Sequence, residues 1–160
     1  MTTMNNPRTS FSSQERKVAA PHQTFWISRR ILWVQGLYFT ITGAWPLIDL
    51  NSFQLVTGPK HDLWLVQTVG AMLTVVGLSF CVAGSRHVVG AGTYFLAAAS
   101  AFALLLVDLI FTSQGTISPI YLLDAAAEFL LLIAWGTLAL LAFRDRHPRR
   151  PARHLALALR

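Results

Sequence analysis

The sequence has little charge and almost no cysteine. Only 12% of its 160 residues are charged and 54% are hydrophobic, whereas soluble domains carry about a quarter charged residues. This balance indicates lipid rather than water as the surrounding solvent. The single cysteine, Cys81, excludes an internal disulfide and a CxxC redox pair, so a thiol–disulfide oxidoreductase is not expected.

Four long apolar blocks hold most of the hydrophobic residues. They cover about residues 31–48, 63–83, 88–111 and 120–143. Each block is long enough for an α-helix to cross a hydrocarbon core about 30 Å thick, and none has the polar face of a soluble helix. Because backbone polar groups must be paired inside lipid, helices are the expected structure. The sequence therefore predicts an all-α fold, an integral membrane four-helix bundle with antiparallel, up-down topology.

Lysine and arginine lie on one side of this predicted bundle. They occur in the first 30 residues, at Arg86 and after residue 143, and only Lys60 lies in a loop on the opposite side. The positive-inside rule then predicts an inner-membrane protein with both termini and Arg86 in the cytoplasm. Residues 1–24 are predicted to be a disordered tail, residues 25–143 the membrane domain and residues 144–160 a basic tail.

The two ends of the chain leave alternatives open. The C-terminal arginines favour attraction to anionic lipid headgroups, or they serve only as a solvated cytoplasmic anchor. Nucleic-acid binding is not expected, because the tail has no interleaved aromatic residues and no recognisable motif. Near the N-terminus, SRRIL at residues 28–32 is similar to part of a twin-arginine export signal. Removal of the first span would leave an odd number of helices, however, and two arginines before a span are ordinary anchors.

The first two blocks share the pattern G-x-x-x-T-x-x-G, in GLYFTITG at 36–43 and GAMLTVVG at 70–77. Glycine lets two helix backbones approach, threonine can hydrogen-bond across the contact, and a seven-residue glycine spacing favours a left-handed crossing. We therefore predict a close antiparallel pair, with chance recurrence or a ligand cradle as the alternatives. The predicted packing residues are Gly36, Thr40, Gly43, Gly70, Thr74 and Gly77.

Three carboxylates lie inside apolar blocks. Asp108 is near the end of the third block, and Asp124 and Glu128 share one face of the fourth. All three are predicted in the outer half of the membrane, with Gln67 of the second block at a matching level. An ionised acid facing lipid costs about 2.5–3.5 kcal/mol, and no Lys, Arg or His lies within the blocks. We therefore expect the acids to turn inward and to share at least one proton or cation.

This predicted cluster of Asp108, Asp124 and Glu128, assisted by Gln67, has three interpretations. It binds a small polar or cationic ligand or a proton. Alternatively, the acids pack the third and fourth membrane helices together in a structural or accessory subunit of a larger membrane complex, or in a homo-oligomer. A metal site is the third interpretation, because oxygen ligands suit hard cations, and it would use rim residues such as Asp49, His61 and Asp62.

A catalytic role has weak support in the sequence. The serines within the blocks have no nearby histidine, and Cys81 has no activating partner. Paired carboxylates can transfer protons, so a membrane enzyme stays an alternative, but no catalytic residue, metal ligand or cofactor is predicted. A haem held by two histidines inside the bundle is excluded, because the blocks contain none.

A family resemblance rests on RILWVQGLYFTITGAWPL in the first block, FQLVTGPKHDLWLVQTVG around the second, and the short loops that follow. With four compact spans, the chain resembles small bacterial four-helix inner-membrane proteins of the DoxX-like kind over most of residues 30–143. The resemblance implies a four-helix bundle in a lipid bilayer. It brings no defined active residues with it.

Overall fold

The structure is a computed structural model that describes residues 22–86 and 89–146. Within them the chain forms five helices and no strand: α1 His22–Ile48, α2 Leu50–Thr57, α3 Leu63–Ser85, α4 Ala91–Ser113 and α5 Tyr121–Arg146. All of these except α2 are long and apolar enough to cross a membrane. The predicted all-α class with four spans is confirmed. Most of the two predicted tails, 1–24 and 144–160, lies outside the described residues.

The first helix begins at His22, well before its apolar block starts at residue 31. The last carbonyls of a helix have no partner within that helix, and Arg29 of α1 supplies one to α3. Its Nε donates to the Gly84 carbonyl at 2.7 Å and its Nη2 to the Ser85 carbonyl at 3.5 Å. The start of α1 and the end of α3 therefore meet, and we call this end of the molecule, which also carries Arg86, the Arg86 end.

The segment between the first two apolar blocks, predicted as the loop that contains Lys60, is a loop only in its second part, because residues 50–57 form the short helix α2. The Asp49 carboxylate accepts a hydrogen bond from the Ser52 N–H at 3.1 Å and so caps the helix. Gly58, with φ +88°, ends it. Trp45 of α1 donates from Nε1 to the Ser52 hydroxyl at 2.8 Å and contacts Phe53 edge-on. These contacts hold α2 against the end of α1, and we call this the Lys60 end.

α1 and α3 form the closest helix pair. A side-chain carbon added at Gly43 would lie 2.7 Å from the Gly70 carbonyl oxygen, and one added at Gly77 would lie 2.6 Å from the Thr40 nitrogen. Later residues of α1 therefore meet earlier residues of α3. The threonines do not bridge the two helices, because Thr40 and Thr74 each donate to a carbonyl of their own helix, at 2.7 Å.

α4 and α5 form the second pair, and Gln35 of α1 joins this pair to the first. Gln35 is fully buried. Its Nε2 donates to the Ala97 carbonyl of α4 at 2.8 Å, and its Oε1 accepts from Trp135 Nε1 of α5 at 2.8 Å. Tyr94 stacks edge-on against Trp135 and shares a hydrogen bond of 3.2 Å with the Ser28 hydroxyl. α1 is therefore the helix around which the others assemble.

Candidate functional site

The three carboxylates predicted to face inward lie on the neighbouring helices α4 and α5. Glu128 is 0% exposed and Asp108 is 4% exposed, while Asp124 is half-buried. Asp124 lies one turn before Glu128 on α5, and Asp108 lies on α4, the helix that pairs with α5. Asp108 follows the fully buried Ala97 and Ala101 on the packed face of α4. The three acids therefore belong to one helix pair, and we call Asp108, Asp124 and Glu128 the acid cluster.

The buried oxygens of the acid cluster have no hydrogen-bond partner. Among the described residues, the buried side-chain atoms without a partner are Asp108 Oδ2, both oxygens of Glu128, and Thr112 Oγ1. An unpaired buried polar group costs about 1–3 kcal/mol, and native structures contain few of them. Three of these four atoms belong to Asp108 and Glu128, and the fourth belongs to Thr112, which lies one turn from Asp108 on α4.

No basic side chain compensates the acids. The spans contain only Arg29, Arg30 and Arg144 as Lys or Arg, and these lie toward the Arg86 end, away from the acid cluster. Between Arg30 and Asp49, α1 offers Tyr38 as its one titratable side chain, and α3 offers Cys81. Glu128 therefore has Asp124 one turn away on its own helix and Asp108 on the paired helix α4, and the spans supply no Lys or Arg in that half of the bundle.

Thr112 lies one turn beyond Asp108, toward the Lys60 end. α4 ends there in a Schellman motif: the Gly115 N–H donates to the Thr112 carbonyl at 3.0 Å, and the Thr116 N–H donates to the Phe111 carbonyl at 2.9 Å. Gly115 adopts φ +69°, a conformation that glycine takes without strain. The motif satisfies the Thr112 carbonyl but leaves its hydroxyl unpaired, on the same face of the helix as Asp108.

A cavity of about 350 Å³ lies at the Lys60 end between the two loops there. Its walls are residues 57–60, Thr112 and residues 115–119. The Lys60 ammonium donates to the Thr57 carbonyl at 3.1 Å and lies 4.9 Å from the centre of the Tyr121 ring, so it fixes one loop against the start of α5. No member of the acid cluster lines the cavity. Of the residues that line the cavity, only Thr112 has a buried side-chain oxygen without a hydrogen-bond partner. It lies on the face of α4 that carries Asp108.

The other polar residues predicted near the site do not join it. Gln67 is exposed on α3, and the described hydrogen bonds include none from Gln67 to the acid cluster. Asp49 caps α2, and the hydrogen bond from Ser52 N–H lowers the pKa of its carboxyl, while His61 and Asp62 are exposed. In the part of the chain that the structure describes, no three His, Cys, Asp or Glu side chains are arranged to hold a metal.

Two residues were not predicted from the sequence: Gln35, which joins α1 to α4 and α5, and Thr112, which lies one turn from Asp108. Gln35 had a signal, because a lone amide within an apolar span is costly and usually has a partner. Thr112 had a weaker one, its position one turn from Asp108. Two serines within the apolar blocks form hydrogen bonds within their own helices, since Ser100 donates to the Ala97 carbonyl at 3.2 Å and Ser79 to the Val75 carbonyl at 2.8 Å.

Comparison with known proteins gives no match: no family model, no curated protein and no solved structure matches the chain. The resemblance to DoxX-like bacterial proteins therefore stays a prediction. The class that the described residues define is a small all-helical protein with four helices able to cross a membrane.

Proposed function

We propose that this is a small multi-pass membrane protein whose acid cluster binds a proton or a small cation. The supporting observation is that Glu128 is completely buried, with neither carboxyl oxygen paired. An ionised carboxylate at such depth costs about 2.5–3.5 kcal/mol on the insertion scale. A leucine would fill the same space without that cost, so packing alone gives no reason for an acid at this position.

The arrangement also favours an exchangeable ligand over a permanent ion pair. Asp108 and Asp124 add like charges beside Glu128, and two adjacent carboxylates in a poorly solvated place do not both stay ionised. A bound proton or monovalent cation relieves the repulsion and completes the missing hydrogen bonds or contacts. The absence of a three-ligand metal arrangement among the described residues makes a multivalent metal the weaker choice.

The test is the pH dependence of unfolding for the purified protein in detergent or nanodiscs. Ionising a buried, unpaired carboxyl is costly only in the folded state, so the folded protein binds the proton more tightly and stability should fall as pH rises. Glu128→Gln should remove this slope. The matched control is Asp62→Asn, which changes an exposed acid at the same end and should keep the wild-type slope.

Cation binding is tested in the same assay at constant ionic strength. Sodium, potassium and tetramethylammonium are exchanged for one another at high pH. A cation that binds the site would restore the stability of the wild type but not that of Glu128→Gln. If the site binds only a proton, stability should not depend on which cation is present. If the wild type and Glu128→Gln respond identically to both pH and cations, the proposed site is wrong.

The second candidate function is a structural or accessory subunit in which the acids serve helix packing. It is favoured by the position of Asp108, in line with the buried Ala97 and Ala101 on the face of α4 that packs inward. The double substitution Asp108→Asn and Glu128→Gln separates the two candidates. A packing role based on hydrogen bonds survives the substitution with unchanged stability and assembly at all pH values, whereas the binding role loses its pH response.

The proposed topology is an antiparallel up-down bundle in the inner membrane with both termini in the cytoplasm. It rests on the positive-inside rule and on the separation of Lys60 from the other described basic residues. Reporter fusions at Lys60, Arg86 and Arg160 test it. An external location for Arg86 would overturn the proposed orientation, including the placement of the acid cluster near the outer face.

A further inference from the structure

We propose that the ligand of the acid cluster is a proton, and that the Thr112 hydroxyl relays it between the cavity at the Lys60 end and Asp108. This inference rests on the proposed function and narrows it from a proton or cation to a proton. It assigns Thr112, a residue outside the acid cluster, to the route by which the proton reaches the acids.

Thr112 lies next to both the cavity and Asp108. Thr112 lines the cavity, and its hydroxyl oxygen is nevertheless buried and unpaired. Asp108 lies four residues earlier, a rise of about 6 Å along the helix, on the same face. Asp108 Oδ2 is also buried and unpaired. Two unpaired polar atoms, one turn apart, are therefore within the reach of one bridging water.

The second step is the chemistry of a hydroxyl. Threonine both donates and accepts a hydrogen bond, so it can accept a proton from a hydronium ion in the cavity while giving its own proton, through the bridging water, to the Asp108 carboxylate. The net change is that a hydronium ion becomes water and the carboxylate becomes a carboxylic acid, and the threonine is unchanged. Glu128, on the paired helix α5, then shares the proton.

The third step is the selection of the proton over other cations. None of the three acids forms part of the cavity wall, and Glu128 has no exposed surface. To reach Glu128 from the cavity, a metal or organic cation would have to pass Thr112 and shed its hydration. A proton crosses by exchange of hydrogen bonds. The cavity, with a volume of about 350 Å³, is large enough to hold water.

The experiment measures how fast Glu128 takes up a proton after a pH jump, with the full-length protein in nanodiscs. The readout is the infrared band of the protonated carboxyl, assigned to Glu128 by its loss in Glu128→Gln. Thr112→Val keeps the shape of threonine and removes an unpaired hydroxyl, so its stability should equal or exceed that of the wild type. Thr112→Ser keeps the hydroxyl and is the matched control.

The expected result is that Thr112→Val slows proton uptake about tenfold, as for the loss of one hydrogen bond from the path, without changing the equilibrium titration. Thr112→Ser should relax at the wild-type rate. In wild type, exchange among sodium, potassium and tetramethylammonium at constant ionic strength should leave the band and its rate unchanged. That cation measurement needs no variant, so it tests the choice of a proton independently of the substitutions.

Three outcomes overturn the inference: Thr112→Val relaxes as fast as wild type, Thr112→Val and Thr112→Ser slow equally, or a cation displaces the Glu128 proton in wild type. Failure of the proposed function looks different, because then wild type shows no titrating band that depends on Glu128 and no Glu128-dependent pH response of stability. If the Glu128 band titrates and Thr112→Val takes up the proton at the wild-type rate, the relay through Thr112 is wrong, while the proton site at Glu128 is still supported.

Discussion

Replacing Gly77 with alanine should drive α1 and α3 apart. The added carbon would lie 2.6 Å from both the nitrogen and the hydroxyl oxygen of Thr40, and 2.7 Å from the carbonyl oxygen of Gly36. Two of these three atoms belong to the backbone of α1, so no side-chain rotation relieves the overlap. The helices would have to separate locally by about 0.8 Å, the difference between 2.6 Å and ordinary contact at 3.4 Å.

The magnitude follows from two opposing effects. Overpacking a well-fitted contact costs about 1–3 kcal/mol, and a gap of about 0.5–1 Å removes a quarter to a half of the dispersion energy of the neighbouring contacts. Alanine is favoured over glycine in a helix by about 0.5–1 kcal/mol. The overlap is the larger effect, and we expect Gly77→Ala to lower the free energy of unfolding by about 1–2 kcal/mol.

The measurement is the unfolding free energy in mixed detergent, with Gly136→Ala as the matched control. A carbon added at Gly136 meets nothing within 4 Å, so only the helix preference remains, and this variant should be unchanged or up to about 1 kcal/mol more stable. The two substitutions are chemically identical and should have opposite signs. Equal effects, or a stable Gly77→Ala protein, would show that α1 and α3 do not approach as closely as the structure has them.

Two further predictions concern Gln35 and the short helix. Gln35→Leu should cost about 1–3 kcal/mol of unfolding free energy, because Trp135 Nε1 loses its partner inside the bundle. Adding Trp135→Phe should then cost less than it does alone, and additive losses would contradict the hydrogen bond. Asp49→Ala should speed amide exchange in α2. Since its capping bond lowers the Asp49 pKa, protection in wild type should persist above that pKa and be lost as pH falls through it, whereas Asp49→Asn should cap without pH dependence. Equal pH profiles in wild type and Asp49→Asn would remove the capping role.

The glycine pattern shows how far sequence reasoning reaches within a helix pair. The spacing of Gly36, Gly43, Gly70 and Gly77 predicts close packing, and in the structure a side-chain carbon added at any of them would lie 2.6–2.7 Å from an atom of the other helix. The role given to the threonines differs, because each hydroxyl bonds the carbonyl four residues earlier. A hydroxyl that can satisfy itself within its own helix has no need of a partner across the contact, and the pattern alone does not distinguish these two choices.

For the acid cluster, too, the sequence predicts one part of the arrangement and the structure decides the other. Sequence reasoning places Asp108, Asp124 and Glu128 in the outer half of the membrane, because helix rise converts residue number into depth. It also places Gln67 at a matching level, but in the structure Gln67 is exposed on α3. The depth of a side chain follows from its position along one helix. The direction in which it points, toward the bundle or away from it, depends on which helices are neighbours.

By itself, the sequence determines that four helices can cross a membrane and that the acids within them have no basic partner, since length, apolarity and the order of residues are enough for both conclusions. Only the tertiary structure decides that α1 is central, that Gln35 connects α4 and α5, and that Thr112 lies between a cavity and Asp108. These are contacts between residues far apart in the chain. They depend on how each helix is rotated about its axis, and that rotation is set by packing against the other helices.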